Sequence, residues 1–276
     1  ASYGFELLST GAVRNTRASE ARAETSAQQY VFFQSTGPLS GDVDPVSGAV
    51  IRNTAGAAAG VAFVVHHPNY FVVLAPTTPN HMPGAESQLG GLGSTYFRAA
   101  ATPTIGGWAL GAGVQIWSGD NVRFNDGGAG EFSNDIAKVS TKGWAIDAQA
   151  YGNVAGKPLG LYLSHANAAG TDPGSDSPNL FNPRPNDRTA TTITAEYSVL
   201  PGRATVLAAY RKADNGATSF SSDDAFTLGF TWNLYQNVQF QVTHSIRDEG
   251  AGGIGRYGPT YADGGTLGGD QLTTIM

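Results

Sequence analysis

The sequence predicts an all-β fold, an antiparallel up-and-down transmembrane β-barrel with about twelve visible strands. Two observations predict it. Between residues 107 and 246, tight turns alternate with long polar connections. The segments between them alternate apolar and polar residues with a period of two, which is typical of strands with two different faces. Turns at one end and loops at the other are typical of barrels in bacterial outer membranes.

The connections fall into two length classes. The predicted turns lie at 104–106, 153–157, 200–202 and 233–237, and the predicted loops cover 118–142, 169–190, 214–224 and 247–269. By the usual orientation of such barrels, the turns face the periplasm and the loops face the outside. The sequence therefore predicts both a location, the bacterial outer membrane, and a partner, its lipid bilayer.

The clearest strand lies at 225–234. It places four large apolar side chains on one face, namely Phe226, Leu228, Phe230 and Trp232. Earlier strands are predicted at 2–14, 27–37, 56–66, 69–77 and 94–103. Aromatic residues near strand ends predict girdles at the membrane interfaces; these are Trp108, Trp117, Trp144, Tyr151, Trp232 and Tyr235.

Composition agrees with a membrane barrel and excludes some functions. Only 14% of the 276 residues are charged, against roughly 25% in soluble proteins. No segment approaches the ~18 apolar residues of a transmembrane helix. The net charge of −6 argues against a nucleic-acid partner. Because cysteine is absent, these residues hold no disulfide and no Cys-x-x-Cys-His haem attachment.

Five charged residues are out of phase with the apolar residues of their strands, which predicts that they line the lumen. They are Glu6, Arg98, Asp147, Glu196 and Arg211. On the lipid face, an arginine at mid-membrane would cost ~2–4 kcal/mol. Two roles stay open for these side chains: an internal network that braces the barrel, or contact with a solute or cofactor.

The sequence shows no catalytic constellation. It has no phosphate-binding loop, no nucleophile elbow and no His-Glu-x-x-His motif, so it does not assign the protein to an enzyme class. The candidate axial ligands for a haem are His66, His67, His81 and Met82. His66 and His67 are adjacent, so on a strand they point to opposite faces.

Three segments resemble the barrel portion of fused cytochrome–porin outer-membrane proteins of the iron-oxidising type. They are residues 94–120 (STYFRAAATPTIGGWALGAGVQIWSGD), 143–168 (GWAIDAQAYGNVAGKPLGLYLSHANA) and 269–276 (GDQLTTIM). The resemblance implies an electron-transfer conduit, in which the barrel insulates a c-type haem between an extracellular donor such as ferrous iron and a periplasmic cytochrome.

The resemblance also implies that residues 1–276 are one barrel domain that is incomplete at both ends. The full barrel would have about sixteen strands, and the haem would be carried by residues outside this chain. Two other functions stay open: a diffusion porin for small polar solutes, and a structural or adhesive surface protein that acts through the long loops. The sequence does not indicate an oligomeric state.

Overall fold

The computed structural model describes residues 2–8, 27–32, 42–43, 50–51, 59–78, 92–124, 136–182, 184–218, 221–222, 224–235, 238–247 and 271–275. These residues form strands and one short helix. In chain order they are β1 (Ser2–Leu8), α1 (Ala27–Phe32), β2 (Asp42–Val43), β3 (Val50–Ile51), β4 (Ala59–His67), β5 (Tyr70–Thr78), β6 (Ser94–Ala101), β7 (Thr104–Ile105), β8 (Trp108–Phe124), β9 (Ile136–Val154), β10 (Lys157–Ala168), β11 (Arg188–Leu200), β12 (Ala204–Asp214), β13 (Ala225–Tyr235), β14 (Val238–Arg247) and β15 (Gln271–Ile275).

One large antiparallel sheet contains almost all of the strands. Its order is β1-β4-β5-β6-β8-β9-β10-β11-β12-β13-β14-β15, and β7 pairs with the start of β8. Each strand therefore pairs with its neighbours along the chain, apart from the separate β2–β3 hairpin. The predicted all-β antiparallel class is confirmed. Within the described residues the edge strands β1 and β15 do not pair with each other, so the sheet is not closed.

The short connections all lie at one end of the sheet. Two residues join β4 to β5 and two join β9 to β10. In the second of these turns, Ala155 and Gly156 both have positive φ, at 52° and 73°. Positive φ at both central residues is what a type I′ hairpin turn requires. The opposite end has the long connections, such as residues 169–187 between β10 and β11.

Two parts of the sequence fold differently from the prediction. The predicted strand at 27–37 begins instead as the helix α1. The four side chains of this helix that the structure describes, Ala27, Gln28, Val31 and Phe32, are all buried. A short apolar run fits either period, and the sequence alone does not separate the two.

The predicted loop at 118–142 is shorter than expected. The ladder between β8 and β9 continues into this segment, as far as the pair Phe124 and Ile136. Polar residues dominate this extension, for example Asp120, Asn121 and Lys138. The alternation of apolar and polar residues is weak in this extension, so the strand gives no period-two signal.

The two faces of the sheet differ in polarity. We call the face that α1 covers the inner face and the opposite one the outer face. On β10, the outward Leu161 and Leu163 are exposed, whereas the inward Ser164 and Ala166 are buried. The register aligns this alternation from strand to strand. One outer row crosses five strands as Leu163, Ile193, Tyr210, Phe226 and Ile246, all of them exposed.

No helix among the described residues has the length and apolar character needed to cross a membrane.

Candidate functional site: the occupied inner face

The inner face is lined by polar and small side chains. Those that are buried include Thr77, Ser94, Gln115, Thr141, Ser164, Thr192, Thr194, Thr227, Gln241 and Thr243. Alanines lie among them, such as Ala145, Ala166 and Ala190. Small side chains leave room above the sheet, and α1 and Phe181 fill part of that room.

A buried ion pair crosses three strands of the inner face. The Arg98 guanidinium on β6 donates two hydrogen bonds to the Asp147 carboxylate on β9, one of them with Nη2 to Oδ1 at 2.9 Å. Between them, on β8, lies Gly113. A Cβ at Gly113 would lie 2.8 Å from Arg98 Cζ. The missing side chain therefore lets the guanidinium pass over β8 to reach its partner.

Two further polar contacts complete this cluster. Gln28 of α1 donates its side-chain amide to Asp147 Oδ2 at 3.3 Å. Next to Arg98, the Tyr96 hydroxyl donates to Gln115 Oε1 at 3.2 Å. Buried charges are tolerated when they are paired and hydrogen-bonded. The contacts to Arg98 and Gln28 meet this condition for Asp147.

An aromatic cluster lies beside the ion pair, towards the end of the sheet with the long connections. Tyr96 and Trp117 are cross-strand neighbours with ring centroids 4.6 Å apart. Phe181 packs on Trp117 at 5.5 Å and on Phe32 of α1 at 5.1 Å. Trp117 is buried, so its predicted place in an interfacial girdle is wrong. Its strand phase puts it inward, whereas Trp144 is exposed on the outer face.

The connection between β10 and β11 brings Phe181 to this cluster. Its anchor is Asn179, which is 2% exposed. The Asn179 amide nitrogen donates to the carbonyls of Lys142 and Ala169, at 2.8 and 2.7 Å. Its amide oxygen accepts from the backbone N–H groups of Lys142 and Phe181, both at 3.2 Å. One side chain thus fixes this loop to Lys142 within β9 and to Ala169 at the end of β10.

The structure places four of the five predicted lumen charges. Arg98, Asp147 and Arg211 are buried on the inner face, and Glu196 is half-buried there. Arg98 and Asp147 are brought together as an ion pair. The backbone of Glu6 pairs with the buried Ala62 of β4, and the Glu6 side chain lies outside the described residues.

Two of the candidate haem ligands lie among the described residues. His66 is exposed at the end of β4, and the His67 ring stacks on Tyr70 with centroids 4.7 Å apart. His81 and Met82 lie outside the described residues. Among the side chains described as buried, none is a histidine or methionine that could serve as an axial ligand.

The described part of the chain also contains no group of three or more histidine or acidic side chains suited to a metal ion. The buried pair, the amides and the rings fill this part of the inner face.

Sequence reasoning missed α1, Asn179 and Phe181. The helix had a signal, the spacing of Ala27 and Val31 one helical turn apart. Asn179 and Phe181 had none, because a polar loop that folds over a sheet has the same composition as one that extends into water.

Comparison with known proteins gives little further information. No protein-family model and no curated protein matches the chain. A solved structure described as "Structure of porin refined at 1.8 angstroms resolution" is similar, with 14% sequence identity and a TM-score of 0.37. The match covers 75% of this chain, which spans 61% of the length of that porin. At this level of similarity the fold assignment rests on the strand pairing described above.

Proposed function

We propose that this chain forms the wall of a porin-like β-barrel in a bacterial outer membrane. The observation that supports this proposal is the inverted polarity of the sheet. Large apolar side chains are exposed on the outer face, and charged and hydroxyl side chains are buried on the inner face. A transmembrane barrel has this arrangement, with apolar residues towards lipid and polar residues towards the lumen.

Exposure of this apolar outer face to water would be unfavourable. Fully burying one leucine, isoleucine or phenylalanine contributes about 1.5–3 kcal/mol. In the row from Leu163 to Ile246, the five side chains remain 41–59% exposed. Soluble monomers rarely expose contiguous apolar patches of more than a few hundred Å², whereas a lipid bilayer covers such a surface directly.

Two tryptophans on opposite faces of the sheet provide the test. The chain has four tryptophans, so variants that keep only Trp144 or only Trp117 can be made by changing the others to phenylalanine. In vesicles of lipids with brominated acyl chains, we expect strong quenching of the outward Trp144 and little quenching of the buried Trp117. Equal quenching of the two, or quenching of Trp144 by aqueous iodide alone, would overturn the proposal.

The resemblance to cytochrome–porin proteins supports a finer proposal, an electron-transfer conduit across the outer membrane. The haem would be carried by residues outside this chain, and a periplasmic cytochrome would accept the electron. The occupied inner face favours this function over a wide, open pore, because α1 and Phe181 already fill part of the space. These residues would exclude water from the lumen.

Measurements of haem absorption and of ion conductance on the full-length protein distinguish the three candidate functions. A haem Soret band with little ion conductance in planar bilayers would support the conduit. Haem-free protein with stable open channels would overturn it in favour of a diffusion porin, for which the buried charges Arg98 and Asp147 would tune the selectivity. Membrane insertion with neither haem nor conductance would favour a structural or adhesive surface protein.

A further inference from the structure

We propose that α1 and Phe181 form a plug that narrows the lumen, and that Gly143 and Asp147 on β9 are the two points where α1 is fixed to the sheet. This inference rests on the proposed function, since a plug needs a lumen to narrow. It assigns a permeation-controlling role to specific side chains of two separate connections.

The first fixing point is a notch at Gly143. A Cβ at this position would lie 2.6 Å from Phe32 Cε1, well inside the contact distance of two carbons. The Phe32 ring therefore occupies the volume that any side chain at position 143 would need. Gly143 is inward-facing and buried, so the notch opens towards α1.

The second fixing point is polar. Gln28 lies one helical turn before Phe32 and donates to Asp147 Oδ2, a carboxylate oxygen that Arg98 also contacts. Asp147 is four residues after Gly143 on the same strand, so the two fixing points lie on one face of β9. The helix is thereby held at both of its ends.

Between the fixing points, α1 lies over small residues. It contacts β10 and β11, where the buried inner residues include Ala166 and Ala190. Phe181 then packs edge-on against Phe32 from the end with the long connections. A set of apolar contacts inside an otherwise polar lining is what a seated plug requires, because it replaces water on that part of the sheet.

The test compares matched glycine substitutions in the full-length protein. Gly143→Ala places a methyl group against the Phe32 ring. Gly4→Ala makes the same change in β1, where nothing lies within 4 Å of the new Cβ. We expect a higher single-channel conductance for Gly143→Ala, and unchanged conductance for Gly4→Ala. Phe32→Ala, which removes the ring without crowding β9, should raise the conductance as well.

A second measurement does not depend on conductance. Because residues 1–276 contain no cysteine, a thiol placed at Ala166 is a unique label in this chain, which is expressed alone for this measurement. Ala166→Cys should react slowly with a water-soluble maleimide, and faster when Phe32→Ala is added. Ala155→Cys, in the exposed turn, should react quickly in both backgrounds.

The results distinguish failure of the plug from failure of the proposed function. If the variants fold and insert but leave both conductance and Ala166→Cys labelling unchanged, α1 does not plug the lumen. If Trp144 is not quenched by brominated lipid, the membrane location is wrong; the labelling experiment in detergent then still shows whether α1 covers β10.

Discussion

The outer and inner faces of the sheet follow opposite rules, although they alternate along the same strands. Under the proposed membrane location the outer face has a simple requirement, because any apolar side chain suits lipid and neighbouring residues need not match. The inner face has a specific requirement, because Asp147 binds both Arg98 and Gln28, and Arg98 needs the space that Gly113 leaves. On the outer face, stability should therefore change only when a substitution replaces an apolar residue by a polar one. On the inner face, it should change with most substitutions.

The largest expected effect comes from breaking the inner ion pair. Asp147→Ala leaves the Arg98 guanidinium, which is 1% exposed, without its main partner. Removal of one member of a buried pair costs about 3–5 kcal/mol. We expect a loss of this size in the free energy of unfolding, measured by denaturant titration in phospholipid vesicles.

The matched control replaces both partners. Arg98→Met combined with Asp147→Leu should recover most of the stability, because apolar replacements of a buried pair are often neutral. A loss of under ~1 kcal/mol for Asp147→Ala would mean that the pair is solvated, as surface pairs are.

A charge on the outer face should have the next largest effect. Leu163→Arg, in the middle of β10, should cost ~2–4 kcal/mol in vesicles. Leu200→Arg, at the turn end of β11, should cost only ~0–1 kcal/mol, because the penalty falls towards the interface. The same titration measures both variants, and equal costs would argue against a bilayer around this face.

A methyl group under the guanidinium should have a smaller effect. Gly113→Ala puts a Cβ 2.8 Å from both the Ala99 carbonyl oxygen and Arg98 Cζ. Overpacking of this kind costs about 1–3 kcal/mol. The variant should be less stable than the Gly4→Ala control, and Arg98→Met should relieve part of the difference. Equal stability of the two glycine variants would show that Arg98 does not cross β8 at this point.

The smallest effect on stability is expected from a substitution in the turn between β9 and β10, which lies on neither face of the sheet. Ala155 has a φ of 52°, a left-handed conformation that costs a residue with a Cβ about 1–2 kcal/mol. Glycine removes that strain but loses roughly 0.4–1 kcal/mol through the entropy of the unfolded chain. Ala155→Gly should thus stabilise the protein slightly, and equally in detergent and in lipid. A stability gain that depends on the solvent would indicate that this turn contacts the membrane.

The sequence predicted the features that depend on the polarity of single residues and not on contacts between them. The hairpins from β8 to β14 follow from period-two patterns such as Phe226, Leu228 and Phe230, because successive side chains of a strand point to opposite faces. Inward placement of Arg98 and Asp147 follows from the same phase. Their pairing does not, since they are 49 residues apart in the chain and meet only through the register of β6, β8 and β9.

The inner-face contacts could not be predicted for a related reason. By composition, the segment of α1 fits a strand as well as a helix. In the structure it is a helix, and it contacts β9, β10 and β11. Trp117 resembled an interfacial aromatic until its neighbours Tyr96 and Phe181 were known. Such choices depend on what lies opposite a residue, and a single sequence contains no record of that.

The sequence by itself determined the antiparallel meander, the separation of short and long connections and the polarity of each face. These features depend on backbone periodicity and on the transfer of single side chains between lipid and water. Only the tertiary structure decided which groups occupy the inner face, because packing and ion pairing depend on distances between strands that are remote in the chain.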